Sequence, residues 1–258
     1  MMEVINNMAL LEEKVTLPSN GLIYGEGFNP NLTIRSMTTE DEIKRLAPSN
    51  GVAEYETIAE VINDCIVSDC PISAYDLCLG DFNFLMTKLK VVSYGNEHKI
   101  LINCPNCKQV SVATADLDSL ETVELTQEDY EKLDRVIELP VSKHKITLAF
   151  QTPRMIDDIK IKANEKRKKT KKNLGYEVLY SAMSLIQDID DKPVNPIQLE
   201  DFVKKLPVAD TNYIIKKGDE LNGKVGLGRT IIAKCDSCNY ETVTNFLIEP
   251  SLLGPENY

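Results

Sequence analysis

The chain has 258 residues, 43% of them apolar, a formal net charge of −11 and no tryptophan. That is room for one large domain or two small ones with a proper core, so a metal is not needed to offset small size. No run of 18 apolar residues could span a membrane, the first residues carry no pattern of a secretion signal, and the acidic balance argues against general nucleic-acid binding.

Residues 1–20 read as a short amphipathic or extended lead. Leu17-Pro18-Ser19-Asn20-Gly21-Leu22-Ile23-Tyr24-Gly25 is punctuated by Pro and Gly and reads as a turn-rich loop. Leu32–Met37 alternates as a strand does. Thr39 with Glu42 forms a capping box that opens a helix to about Leu46, and Pro48 and Gly51 then break the chain. Glu54–Ser68 is helical, with Tyr55, Ile58, Ile62, Cys65 and Ile66 on one face. A second helix is expected after Pro71 with Ser73 as N-cap. Its stripe is Tyr75, Cys78, Phe82, Leu85, Met86 and Leu89. Cys65 and Cys78 read as small core residues; Cys70 is less placed, near a helix end.

After a turn at Tyr94-Gly95-Asn96, strand-like residues 99–102 and 110–112 flank a hook, Cys104-Pro105-Asn106-Cys107. Asp116–Leu120 reads as a loop or short turn, and Thr126 caps a short helix with acids in its first turn. Val136–Pro140 and Lys145–Phe150 are candidate strands of a hairpin. Pro153 opens a helix that enters a basic block; Gly175 interrupts it, and Tyr176–Ile189 reads as the next helix. Asp188, Asp190 and Asp191 read as a solvated turn. Asn195-Pro196-Ile197-Gln198 starts a helix that ends near Pro207, and Asp210–Leu221 is the last one, stopped by Asn222-Gly223. Gly223–Gly228 lacks the strand–turn–helix context of a phosphate loop and reads as a plain loop. Strand-like residues 230–233 and 242–244 flank a second hook, Cys235-Asp236-Ser237-Cys238. An apolar, Pro-bounded tail from Phe246 to Pro255 follows, of the kind that packs on its own domain or on a partner.

Two thiols at CxxC spacing between strands make a zinc knuckle, and two knuckles supply the four sulfurs of a closed tetrahedral shell. The expected ligands are Cys104, Cys107, Cys235 and Cys238, and the expected cofactor is a structural Zn²⁺ with no open position for water. Between the pairs lie 127 residues, against the usual gap of about 15–20. Spacing alone therefore does not force the pairs together; what favours their meeting is that either pair alone leaves a metal two ligands short. His98 and His144 are alternative ligands. A redox CxxC would open a helix after a strand, whereas both hooks here run into strand-like residues. Seven cysteines, an odd number, fit a reducing compartment better than a disulfide framework.

Lys160–Lys172 holds eight Lys/Arg and one acid, a segment of +7 in a chain of −11, so the remainder carries −18. Such a block is a solvated helix end or a patch for an anionic partner. No GxGxxG, GxxxxGK[ST], HExxH or GxSxG occurs, so no catalytic constellation is expected.

The ordered set Leu17–Tyr24, Ile34–Glu42, Gly80-Asp81-Phe82-Asn83-Phe84-Leu85-Met86, Ser93-Tyr94-Gly95, the two hooks, and Phe246 with Pro250 resembles the baseplate hub family of contractile-tailed, T-even-type bacteriophages. The lysine-rich block is a departure from that pattern. The resemblance implies a non-enzymatic virion or assembly protein, made in the host cytoplasm and placed in the tail baseplate. It would contact other baseplate and tail proteins, be oligomeric in the virion, and take no membrane, nucleic acid or small-molecule substrate as partner. The expected fold class is α+β: a mainly helical body, a split four-cysteine zinc ribbon made of two β-knuckles, and a helical insert between them. The expected division is residues 1–97 as an N-terminal loop and helical region, 98–115 as the first knuckle, 116–224 as a mixed, mostly helical insert, and 225–258 as the second knuckle and tail. The alternative is a zinc-ribbon nucleic-acid or transcription accessory factor using residues 160–172.

Overall fold

The computed structural model describes residues 10–47 and 53–255. The beginning of the expected lead, the break at Pro48 and Gly51, and the last three residues lie outside them. Among the described residues the architecture is mixed α/β, with eight helices and four small antiparallel sheets.

Strand β1 (Glu12–Thr16) pairs with β2 (Asn31–Arg35), Val15 opposite Leu32. The loop between them is turn-rich as expected, and a buried carboxylate pins it. Asp81 accepts hydrogen bonds from the Ser19 amide at 2.9 Å, the Ser19 hydroxyl, and the Tyr24 hydroxyl at 2.6 Å. Burial pushes the Asp81 carboxyl above its ordinary range, and the hydrogen bonds from Ser19 and Tyr24 act the other way.

Helix α1 (Thr39–Arg45) is capped one residue earlier than Thr39–Glu42 predicts. Thr38 is the N-cap, and its capping-box partner is Asp41. Asp41 is chosen because Arg35 at the end of β2 reaches it at 2.7 Å, which fixes the register of the box. Burial pushes Asp41 up, but the Arg35 guanidinium and the Thr38 bonds outweigh it and hold the carboxyl down at about 2. Its stabilisation is therefore present above the unfolded value near 3.8 and is lost as pH falls toward 2. At pH 7, Asp41→Asn is expected to cost about 2 kcal/mol. The deficit should shrink between pH 4 and 2, as the native carboxylate itself takes up its proton. Thermal melts of both chains across that range check this, and a deficit that ignores pH would rule out the ion pair as its source.

Helix α2 (Glu54–Cys65) buries Ile58, Ile62 and Cys65 as the periodicity predicts. It stops where Ile66 bridges to Ile34 of β2. Ser73 caps only a single 3₁₀ turn, Ala74–Asp76, and the long helix α3 (Leu79–Tyr94) starts later, with Cys78 as its N-cap. The chain straightens between them because the Cys78 amide donates to the Tyr24 hydroxyl and the Leu79 amide to the Gln151 carbonyl. Those two bonds compete with a helix that would run on from Ser73.

Helix α3 is the central element. Phe82, Leu85, Met86 and Leu89 are buried, and so is Lys90, whose ammonium donates to the Gly254 carbonyl and lies 4.9 Å from the Tyr94 ring centre. The tail is thereby tied down, with Phe246, Leu252 and Leu253 in the same core. Gly80 is required by close approach: a Cβ there would lie 2.2 Å from the Val225 carbonyl oxygen.

Strands β3 (Glu97–Asn103) and β4 (Val110–Asp116) flank the first hook. Beyond them come β5 (Thr122–Val123), α4 (Gln127–Glu131, capped by Thr126), β6 (Val136–Glu138) and β7 (Lys145–Leu148). Helix α5 (Pro153–Thr170) and α6 (Tyr176–Ser184) follow. The helix expected over Tyr176–Ile189 ends at Ser184; Ile186–Ile189 is strand β8, paired to β7. Leu185 accepts from the Ala149 amide, so pairing with β7 overrides the helical periodicity. Asp190 and Asp191 both take left-handed φ, at 50° and 60°, in the turn to β9 (Lys192–Pro193), as the solvated-turn reading expects, but Asp188, read with them, is a half-buried residue of β8 opposite Thr147. Helices α7 (Pro196–Lys205, N-cap Asn195) and α8 (Val208–Asn222) lie close to their expected bounds. The glycine-rich loop contains a two-residue strand, β10 (Gly226–Leu227), paired to β5, which the loop reading omits. Strands β11 (Thr230–Cys235) and β12 (Glu241–Asn245) flank the second hook.

One apolar core draws on residues 15–120 and 231–253, and a second on residues 139–221. Helix α5 also meets α2: buried Asp157 accepts from the Glu56 amide at 3.0 Å and the Tyr75 hydroxyl at 3.1 Å.

Candidate metal centre

The sheet β12-β11-β4-β3 is what brings the two hooks together. Strand β4 leaves the first hook, and β11 enters the second. Because these two inner strands are antiparallel, with Cys235 opposite Ala113, both hooks come together at one end of the sheet. The 127-residue gap is bridged by strand pairing rather than by local spacing.

The hooks share one backbone geometry. The Cys104 amide donates to the Gln109 carbonyl at 3.0 Å, and the Lys108 amide to the Cys104 carbonyl at 2.9 Å. In the second, the Cys235 amide donates to the Tyr240 carbonyl at 2.9 Å, and the Asn239 amide to the Cys235 carbonyl at 2.8 Å. The residue after each second cysteine takes left-handed φ, 60° at Lys108 and 58° at Asn239. A tight turn of this kind points two sulfurs the same way.

The four sulfurs of Cys104, Cys107, Cys235 and Cys238 all lie within 4.8 Å of one another. Cys104 and Cys238 are 3.6 Å apart, too far for a disulfide bond of about 2.05 Å. A tetrahedral shell with metal–sulfur bonds of about 2.3 Å has edges of about 3.8 Å. The donor set is therefore of the right type, number and spacing to hold a soft divalent metal ion. Cys104 and Cys235 are buried, and Cys107 and Cys238 half-buried, so the rim alone faces water.

The thiols differ in acidity. Cys235 is held down at about 6, chiefly by Ser111, whose Oγ is 3.4 Å from the sulfur; burial opposes this, and the Cys238 and Ser237 amides add to it. Cys238 is lowered by Asn106 and the Tyr240 amide. At Cys107 the Gln109 amide favours the thiolate, but burial and the neighbouring sulfurs outweigh it and push the thiol up to about 11. Four thiols this close cannot all ionise unless a cation sits between them.

Ser111, Ser237 and Asn106 surround the sulfurs, and the residues alone do not mark them. Ser111 and Ser237 hydroxyls are 2.8 Å apart and join the two hooks. Asp236 binds Lys99 at 3.0 Å and accepts from the Thr114 hydroxyl at 3.1 Å, bracing the second hook on β3 and β4.

The cluster includes neither histidine. His98 packs edge-on against Phe246, and His144 lies 2.7 Å from Asp190. In the basic block, Lys160, Lys162 and Lys166 pair with Glu54, Asp158 and Glu200 at 3.2, 2.8 and 2.6 Å, and Arg167 pairs with Glu177. Lys168, Lys169, Lys171 and Lys172 are exposed.

No described helix is long and apolar enough to cross a membrane. Residues 8–249 match the family described as T4 bacteriophage base plate protein. No curated protein and no solved structure matches the chain.

Proposed function

The chain belongs to the T4 bacteriophage base plate protein family, and on that premise we propose that it is a hub-type component of the tail baseplate, structural or assembly-promoting, held in shape by one zinc ion. Cys104, Cys107, Cys235 and Cys238 are its ligands. Their sulfur spacing is the observation that carries the metal reading. With four thiolates the shell is closed, so the ion fixes structure and activates no water.

The role is passive: the clasp makes residues 98–115 and 225–258 one zinc ribbon, and residues 116–224 stand out as an insert between its halves. Other baseplate and tail proteins bind its surfaces, and none of its groups acts as a catalyst. The protein is made in the host cytoplasm and retained in the tail, or acts there during assembly. A tagged chain expressed during infection is expected to co-purify with other tail proteins, across interfaces of more than roughly 1,000 Å². A chain that stays monomeric and is missing from both baseplates and their precursors would contradict this.

The nucleic-acid reading has one observation behind it, the exposed lysines at the end of α5. Pairing of the block's other four cations with acids weakens it. Affinity for duplex DNA that falls steeply with salt would favour it.

A further inference from the structure

The four exposed lysines of the basic block are the starting point. Lys168 and Lys169 sit in the last turn of α5, where cations favour the helix dipole. Lys171 and Lys172 lie past the helix end and gain little from it. Among the described residues, none of the four makes an ion pair.

A second segment mirrors the block in sign. Residues 116–134 hold eight acids and one cation, Lys132, a net charge of −7 against the +7 of residues 160–172. All eight acids are exposed. Asp118 and Glu128 have cationic partners, Lys88 and Lys132. Asp116, Glu121, Glu124, Asp129, Glu131 and Asp134 have none among the described residues. No ion pair or hydrogen bond among those residues joins the two segments.

We propose that this chain self-associates head to tail, the lysine tip of α5 in one copy docking on the acidic strip of residues 116–134 in the next. Equal and opposite patches that do not meet within one molecule are complementary between two copies, and such complementarity steers the copies together. The two patches are different, so the contact is heterologous, and copies joined this way form a ring if the rotation closes and a chain if it does not. A nucleic-acid partner fits less well. The aromatic nearest the tip in sequence, Tyr176, is half-buried, its hydroxyl 3.2 Å from that of Thr170, which leaves little ring for a base to stack on. The −18 carried by the rest of the chain repels a polyanion. The inference does not depend on the tail assignment, and either can fail without the other.

Sedimentation of the purified full-length chain tests it. Association should be concentration-dependent at 50 mM salt and roughly tenfold or more weaker at 500 mM. The tip variant Lys168→Glu, Lys169→Glu, Lys171→Glu, Lys172→Glu should be monomeric, still cooperatively folded after the small loss that reversed charge at the end of α5 costs, and with zinc content unchanged. So should the strip variant Glu121→Lys, Glu124→Lys, Glu131→Lys, Asp134→Lys. Mixing the two should restore association, because each then offers what the other lacks. A wild-type chain that is monomeric at 50 mM salt overturns the proposal, as does a tip variant that associates as tightly as wild type. A monomeric chain whose four lysines bind duplex DNA also overturns it and selects the nucleic-acid partner.

Discussion

Cys104→Ser and Cys235→Ser are each expected to lower bound zinc from one ion per chain to almost none and the melting temperature by about 10 °C. Each removes one of four ligands and leaves a shell that a tetrahedral thiolate-loving ion does not accept well. A metal that binds only the folded chain, present at about a thousand times its dissociation constant, stabilises by about 4 kcal/mol. In a chain of this length that corresponds to roughly 8–16 °C. The chain should still fold, because the core around α3 draws on Phe82, Leu85, Met86 and Leu89, none of which needs the ion. The loss should be greatest at the hook end of β11 and β4, where strand pairing alone then holds the hooks. Cys70→Ser is the control: Cys70 is half-buried, donates to the nearby Ile72 carbonyl, lies outside the four-cysteine cluster, and should leave both readouts within error. Elemental analysis and melting curves decide this, and unchanged zinc in either ligand variant would refute the assignment.

Asp81→Ala should cost about 4 kcal/mol, as removal of a buried, multiply bonded carboxylate does. It leaves the Ser19 amide and the Ser19 and Tyr24 hydroxyls without their acceptor in a region closed to water. The Tyr24 hydroxyl also accepts from the Cys78 amide, so the start of α3 loosens with the loop. Asp81→Asn should cost far less. Its oxygen can still accept from the Ser19 amide, its NH₂ can donate to hydroxyl oxygens, and it escapes the burial cost that pushes the Asp81 carboxyl up. Denaturant titrations of the two variants at pH 7 separate the cases. Equal losses would mean that the amide cannot replace the carboxylate as acceptor for Ser19 and Tyr24, because Asn leaves no cavity that could account for them.

The elements with dense local signals were legible in the sequence. The stripe from Phe82 to Leu89, the Asn195-Pro196 start of α7 and the strands flanking each hook all lie near where periodicity and capping chemistry put them. Failures fall where a distant partner decides. Ile186–Ile189 continues a helical pattern but is taken by β7. Ser73 is a sound cap, yet Tyr24 and Gln151 draw the next residues out of the helix. Strands of two residues such as β5 and β10 have too few positions to show alternation. Four of the cysteines stood out through their spacing and flanks as a candidate metal site, and the antiparallel pairing of β4 and β11 explains how they meet. Ser111, which tunes Cys235, sits in β4 as an ordinary strand residue and carries no motif.

X-ray absorption at the zinc edge of the purified wild-type chain tests the central claim most directly. One zinc per chain with four sulfurs at about 2.3 Å is the result expected of these cysteines. Four thiols that titrate freely with no bound metal, or a shell containing nitrogen or oxygen, would contradict it.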